Sequence, residues 1–121
     1  MTASAFPLGL VAPHEGFALV QGTPEPHAKT AGSGNISTRQ LCPVCASWTH
    51  TELAAAPDIM VVRPSSLDDP SWFRPVAQLY TRSAHRWAVM PLPFSAAAEL
   101  EDMDAVAEAF RLSDIRPEEP A

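Results

Sequence analysis

The sequence predicts a mainly β fold closed by one C-terminal amphipathic helix, and three observations carry that prediction. Proline takes 13 of the 121 positions, and because each one removes a backbone donor and fixes φ, the chain cannot be mostly helical. Short β-prone runs bounded by Gly and Pro recur between residues 16 and 80. From Ser95 to Phe110 the pattern changes, with Ala97, Leu100, Met103, Val106, Ala107 and Phe110 falling at helical spacing.

In chain order, residues 1–13 are apolar and punctuated by proline, ending at Pro13. Residues 16–21 read as a strand between Gly16 and Gly22, and residues 27–31 as a second strand that pairs back after the Thr23-Pro24-Glu25-Pro26 connection. Ala31-Gly32-Ser33-Gly34-Asn35 is a loop in which Gly and Asn tolerate positive φ. Residues 36–41 and 47–51 are β-prone by their Ile, Thr and Trp content. Residues 58–63 carry a continuous apolar run that predicts burial on both faces, and residues 76–80 predict a further strand. The C-terminal helix is expected to start with Ser95 as its cap, with acidic residues in its early turns and Arg111 at its end, as the helix dipole favours. Residues 113–121 hold two prolines and no apolar period, which predicts a frayed tail.

Charge is unevenly spread. Residues 1–98 carry equal numbers of acidic and basic side chains, and the whole net charge of −6 arises in residues 99–121. No basic footprint is present, which argues against nucleic-acid binding through phosphate neutralisation. No apolar stretch approaches the roughly 20 residues of a membrane span, and Met1-Thr2-Ala3-Ser4-Ala5-Phe6 lacks a basic leader region. A cytoplasmic protein without membrane contact is the expectation.

Cys42-Pro43-Val44-Cys45 is the motif with intrinsic chemistry, either half of a metal site or a redox pair. A thioredoxin-type pair needs its first cysteine at a helix N-terminus, whereas the segment that follows here is β-prone. The pattern therefore favours a zinc knuckle on a turn between strands, with two ordinary buried thiols as the plainer alternative. Structural zinc takes four protein ligands, and no other cysteine exists in the chain. His14, His27, His50 and His85 are the remaining candidates. His50, five residues after Cys45, could fold back as a third ligand, but is more readily a cross-strand or surface histidine.

Asp68 and Asp69 are adjacent. Neighbours in an extended chain point to opposite faces, so Asp69 is expected to cap a short turn begun by Pro70 and Ser71 rather than share a proton. Trp48, Trp72, Trp87 and Phe73 suit core or sheet-edge packing, or the wall of a ligand pocket. Arg82, His85 and Arg86 are either solvated loop charges or groups facing an anionic ligand.

Three segments together resemble the glutathione-dependent formaldehyde-activating family. They are Cys42-Pro43-Val44-Cys45, then Arg63-Pro64-Ser65-Ser66-Leu67-Asp68-Asp69-Pro70-Ser71-Trp72, then Val76-Ala77-Gln78-Leu79-Tyr80-Thr81-Arg82-Ser83-Ala84, within a resembling run over residues 3–95. The resemblance implies a β-tent of stacked antiparallel sheets around zinc. It also implies carbon–sulfur lyase chemistry, joining formaldehyde and glutathione into S-hydroxymethylglutathione or the reverse, with glutathione or an adduct of it as ligand. It further implies a structural zinc held by an early C-x-C together with Cys42 and Cys45, and a catalytic zinc held by a C-H-C-x-x-C segment.

Two departures stand out. Both upstream cysteine groups are missing, so the expectation is an N-terminally truncated member, inactive as this chain alone. The glycine that follows the second knuckle cysteine in the family is Ala46 here, which penalises positive φ at that turn. The division expected is a β domain over residues 1–95 and an acidic helix and tail over residues 96–121. Two further readings are a non-catalytic module, in which two chains share a four-thiolate zinc, and a plain β domain that docks a partner. A homodimer is the expected assembly, because loss of early strands would leave a sheet edge open.

Overall fold

Antiparallel pairing between short, Thr- and Val-rich strands organises the first half of the chain. The computed structural model describes residues 5–96 and 102–117. Its elements are β1 (Leu10–Pro13), β2 (Glu25–Thr30), β3 (Ile36–Leu41), β4 (Trp48–Leu53), β5 (Ile59–Val62), β6 (Ala77–Gln78), β7 (Phe94–Ser95) and α1 (Met103–Leu112). The chain divides into two compact units, Gly9–Asp68 on one hand and Met1–Leu8 with Asp69–Ala121 on the other.

The first unit is a five-stranded antiparallel sheet in the order β1-β5-β4-β3-β2. β4 is its central strand; in the neighbouring β5, which lies between β1 and β4, Met60 is 1% exposed and the other three residues are half-buried. In an antiparallel ladder, directly paired residues share a face and alternate residues change face. His50, paired with Val62, and Thr51, paired with Val61, therefore lie on opposite faces of β4, and both are buried. This middle of the sheet is covered on both sides.

Hydrogen-bond phase explains where the prolines fall. The Ala31 N–H donates to the Asn35 carbonyl at 2.8 Å, and this fixes which β2 residues face β3. Counting back by alternation, Lys29, His27 and Glu25 aim their backbone groups inward, and Thr30, Ala28 and Pro26 aim theirs at the outer edge. The same argument from the His14 N–H, which donates to the Asp58 carbonyl at 2.8 Å, places Pro13 on the outer side of β1. Both edges thus carry a proline where a free donor would otherwise invite another strand. Edge-to-edge pairing is disfavoured by this arrangement.

Several local expectations need correction. Residues 16–21 do not form a strand: His14–Gly16 is a 3-10 turn, and residues 17–20 run on without pairing. Phe17 turns onto the His50 ring at 4.6 Å, and Val20 is 93% exposed. The strand lies earlier, at β1, where Pro13 sits at an edge position instead of breaking the element. The second predicted strand is β2, and it pairs with β3.

The second unit holds little regular structure. β6 and β7 are two residues each and pair in parallel, unlike the antiparallel pairing expected throughout. Ser95 belongs to β7 and does not cap the helix. The cap is Asp102, whose carboxylate accepts the Ala105 N–H at 2.8 Å. The expected helical positions Ala97 and Leu100 lie outside the described residues. At the other end, Arg116 donates to the Phe110 carbonyl at 2.8 Å with its guanidinium over the Phe110 ring, satisfying carbonyls the helix leaves open. Among the described residues no helix is long and apolar enough to cross a membrane.

Candidate functional site

The cysteine pair sits where the β3–β4 hairpin turns. The register shifts between Gln40 and Leu41 just before the turn. The Cys42 N–H donates to the Ser47 carbonyl and the Ala46 N–H to the Cys42 carbonyl, each at 2.8 Å. Ala46 takes φ of 58°, the left-handed conformation expected of the glycine it replaces. The turn therefore holds an L-residue in the left-handed region at a steric cost.

This backbone brings the two sulfurs together. Cys42 is half-buried and Cys45 exposed. The Ser47 hydroxyl, the Ser47 N–H and the Cys42 thiol all donate toward the Cys45 sulfur, and together they hold its pKa below the ordinary thiol value. Hydrogen bonds to the charged form favour it. Sequence reasoning missed Ser47; a serine two residues past a cysteine is too common to signal such a role.

The histidines are placed elsewhere. His50 Nδ1 lies 3.0 Å from the Thr49 hydroxyl and its ring packs on Phe17, so the cross-strand reading describes it. Burial lowers its pKa, with Glu52 opposing that shift. His14 is in a 3-10 turn, His27 is exposed on β2, and His85 stacks on Trp87. Among the described residues no group of three or more His, Cys, Asp or Glu side chains gathers where it could hold a metal ion. A tetrahedral zinc site takes four ligands; Cys42 and Cys45 would supply two, and the described residues gather no others beside them.

In the second unit, Asp69 accepts from both the Ser71 N–H, at 3.0 Å, and the Ser71 hydroxyl, at 2.6 Å. This is the turn-capping role predicted for it, and these bonds lower its pKa. A polar cleft of about 270 Å³ lies beside it, lined by Asp69, Ser71, Trp72, Arg74, Asp114 and Arg116. Its charges are already paired internally, with Arg74 at 3.3 Å from Asp114.

A family model described as glutathione-dependent formaldehyde-activating enzyme matches residues 1–83. That span holds the Cys42–Cys45 turn and most of the chain. The chain belongs to the glutathione-dependent formaldehyde-activating family. No curated relative and no solved structure matches it. The match includes the Asp69 turn and ends within the 3-10 turn Thr81–Ser83, so α1 lies beyond the family segment.

Proposed function

We propose that this chain is a zinc-binding member of the family, with Cys42 and Cys45 as its metal ligands and carbon–sulfur lyase chemistry as its type of reaction. The substrate pair in this reading is formaldehyde and glutathione, joined as S-hydroxymethylglutathione or released from it. The carrying observation is the knuckle: within the matched segment, a turn with Ala46 at positive φ brings two sulfurs together. Zinc, when bound, lowers the pKa of a thiol and presents it as thiolate. What the chain's own residues do is hold Cys45 in a thiolate-favouring environment through Ser47 and Cys42. The reading also takes the β-tent architecture, a β domain over residues 1–95 with an acidic appendage over 96–121, and a cytoplasmic setting that keeps both thiols reduced.

With two ligands gathered and no third among the described residues, the proposal includes no lyase turnover by this chain alone. The same observation favours a second reading, a non-catalytic module in which two chains each give Cys42 and Cys45 to one zinc at a two-fold axis. Val44, 92% exposed at the tip of the turn, leaves the approach open.

Metal analysis with native mass spectrometry, run beside a lyase assay, tests both readings. Zinc that is lost in Cys42→Ser and Cys45→Ser, without turnover, is the expected result. Half a zinc per chain in a dimer that chelation splits supports the shared site, and one zinc per monomer overturns it. A chain that takes up no zinc removes the zinc reading, and turnover by the zinc-loaded chain removes the claim of inactivity.

A further inference from the structure

The two thiols at the turn between β3 and β4 are the only cysteines in the sequence, and they differ in access. Cys45 is exposed and Cys42 half-buried. Val44, between them, is 92% exposed, so the tip of the turn is open to solvent. Among the described residues no third metal-ligating side chain gathers beside the pair. Two thiols held together without further ligands have a second chemistry open to them.

The backbone is already closed for it. The Ala46 N–H donates to the Cys42 carbonyl and the Cys42 N–H to the Ser47 carbonyl, each at 2.8 Å, so the chain reverses within the motif. Residues three apart across a tight turn lie within about 7 Å, the limit that a disulfide sets on its α-carbons. The Cys42 thiol donates to the Cys45 sulfur, so the two side chains converge as a disulfide requires.

We propose that Cys42 and Cys45 form a reversible redox pair, closed to a disulfide by exchange with a small-molecule disulfide and reopened by thiols. The exposed Cys45 sulfur, its proton given to water, attacks one sulfur of the small disulfide. That S–S bond breaks, and the half that leaves takes up a proton as a thiol. Cys42, deprotonated in turn, attacks the Cys45 sulfur of the mixed disulfide and expels the second half as another thiol. The cysteines together lose two electrons and two protons, and the small disulfide gains both. Access sets the order, with Cys45 attacking and Cys42 resolving. The closed pair has no thiolate to offer a metal, so the exchange switches off zinc binding at the same turn. That consequence rests on the zinc reading above; the disulfide rests on the turn alone. A transient, redox-sensing disulfide of this kind is compatible with a reducing compartment.

The test uses the full reduced chain, freed of metal by chelator, with hydroxyethyl disulfide as oxidant, followed by intact mass and thiol alkylation after acid quench. The expected product is a single chain lighter by two hydrogens, with neither cysteine alkylated, from which dithiothreitol restores both thiols. Cys42→Ser should stop at the mixed disulfide, with mercaptoethanol held on Cys45. Cys45→Ser should react on the order of tenfold more slowly, because its remaining thiol is half-buried. Far-UV circular dichroism checks that both variants fold, and the wild-type product decides the proposal whether or not they do. A wild-type chain that keeps the adduct, links to a second chain or retains both free thiols overturns it. Zinc uptake is then compared between the reduced and the oxidised chain and is expected in the reduced one alone. Equal zinc uptake by both overturns the switch. Disulfide closure in a chain that binds no zinc in either state keeps the redox pair and removes the zinc reading. Zinc binding by a reduced chain that never closes its disulfide does the reverse.

Discussion

The unit Gly9–Asp68 and the unit that holds Asp69 onward are stabilised by different means. The first is knit by long ladders, such as the six-residue register of β2 with β3. The second has one two-residue parallel pair, and its chain is held by side chains bonded to backbone: Gln78 to Met90, Ser113 to the Phe110 carbonyl and Arg116 to the end of α1. A ladder distributes its stability over many equivalent backbone bonds. A side-chain clamp concentrates it in one residue. The first unit should therefore be vulnerable at its buried centre and the second at its clamps.

The largest effect is expected at Met60. It is the most buried side chain of the sheet, between Ala12 of β1 and Glu52 of β4. Met60→Ala should cost about 2–5 kcal/mol, through lost transfer energy and a cavity that a ladder cannot close. Urea denaturation followed by far-UV circular dichroism reads that loss. A change under 1 kcal/mol would mean the sheet centre is less tightly packed than its burial indicates.

Next comes Gln78→Ala, which removes both bonds to Met90 and leaves that backbone pair without partners, at a cost of about 1–3 kcal/mol. The effect should be local. Limited proteolysis should cut the variant between β6 and β7 sooner than the wild type, while hydrogen exchange in β3 and β4 stays unchanged. Faster exchange in both units together would show that they unfold as one and would weaken the contrast between them.

What was legible in the sequence follows the same divide. β3 matches its predicted span and β5 lies inside its own, because strand propensity and apolar content are local signals; of the burial expected on both faces of β5, Met60 alone is fully buried. Residues 16–21 have those signals too, but no strand pairs with them, and Phe17 is spent on His50 instead. Strand pairing is a long-range choice that composition does not encode. Pro13 read as a terminator because sequence does not show which side of a strand faces an edge. The turn at Cys42–Cys45 was legible from spacing, and the positive φ at Ala46 only through the glycine that the family carries there. Gln78 was not, because its partner is twelve residues away.

A smaller, pH-dependent effect is expected at His50. Burial lowers its pKa in the folded chain below the ordinary 6.5. Above that value the ring is neutral in both states and contributes nothing to pH dependence. As pH falls through about 6.5 the unfolded chain takes up a proton that the folded one resists, so stability declines towards acid. Thermal melts between pH 8 and pH 5 should show this decline, and His50→Gln should flatten it. An equal decline in the variant would assign it to other groups.

The smallest effect is a gain, at Ala46. Its left-handed backbone costs an L-residue about 1–2 kcal/mol. Glycine removes that cost but gives the unfolded chain extra freedom, worth about 0.5–1 kcal/mol. Ala46→Gly should thus stabilise by about 0.5–1 kcal/mol, read as a higher urea midpoint at unchanged denaturant slope. Ala46→Val should move the midpoint the other way, because a β-branched side chain tolerates that φ least. This pair of variants probes the knuckle through its backbone while leaving both sulfurs in place. If neither variant shifts the midpoint, the turn opens apart from the ladder that carries it, and the sheet unit has a weak point at the very residues proposed to hold zinc.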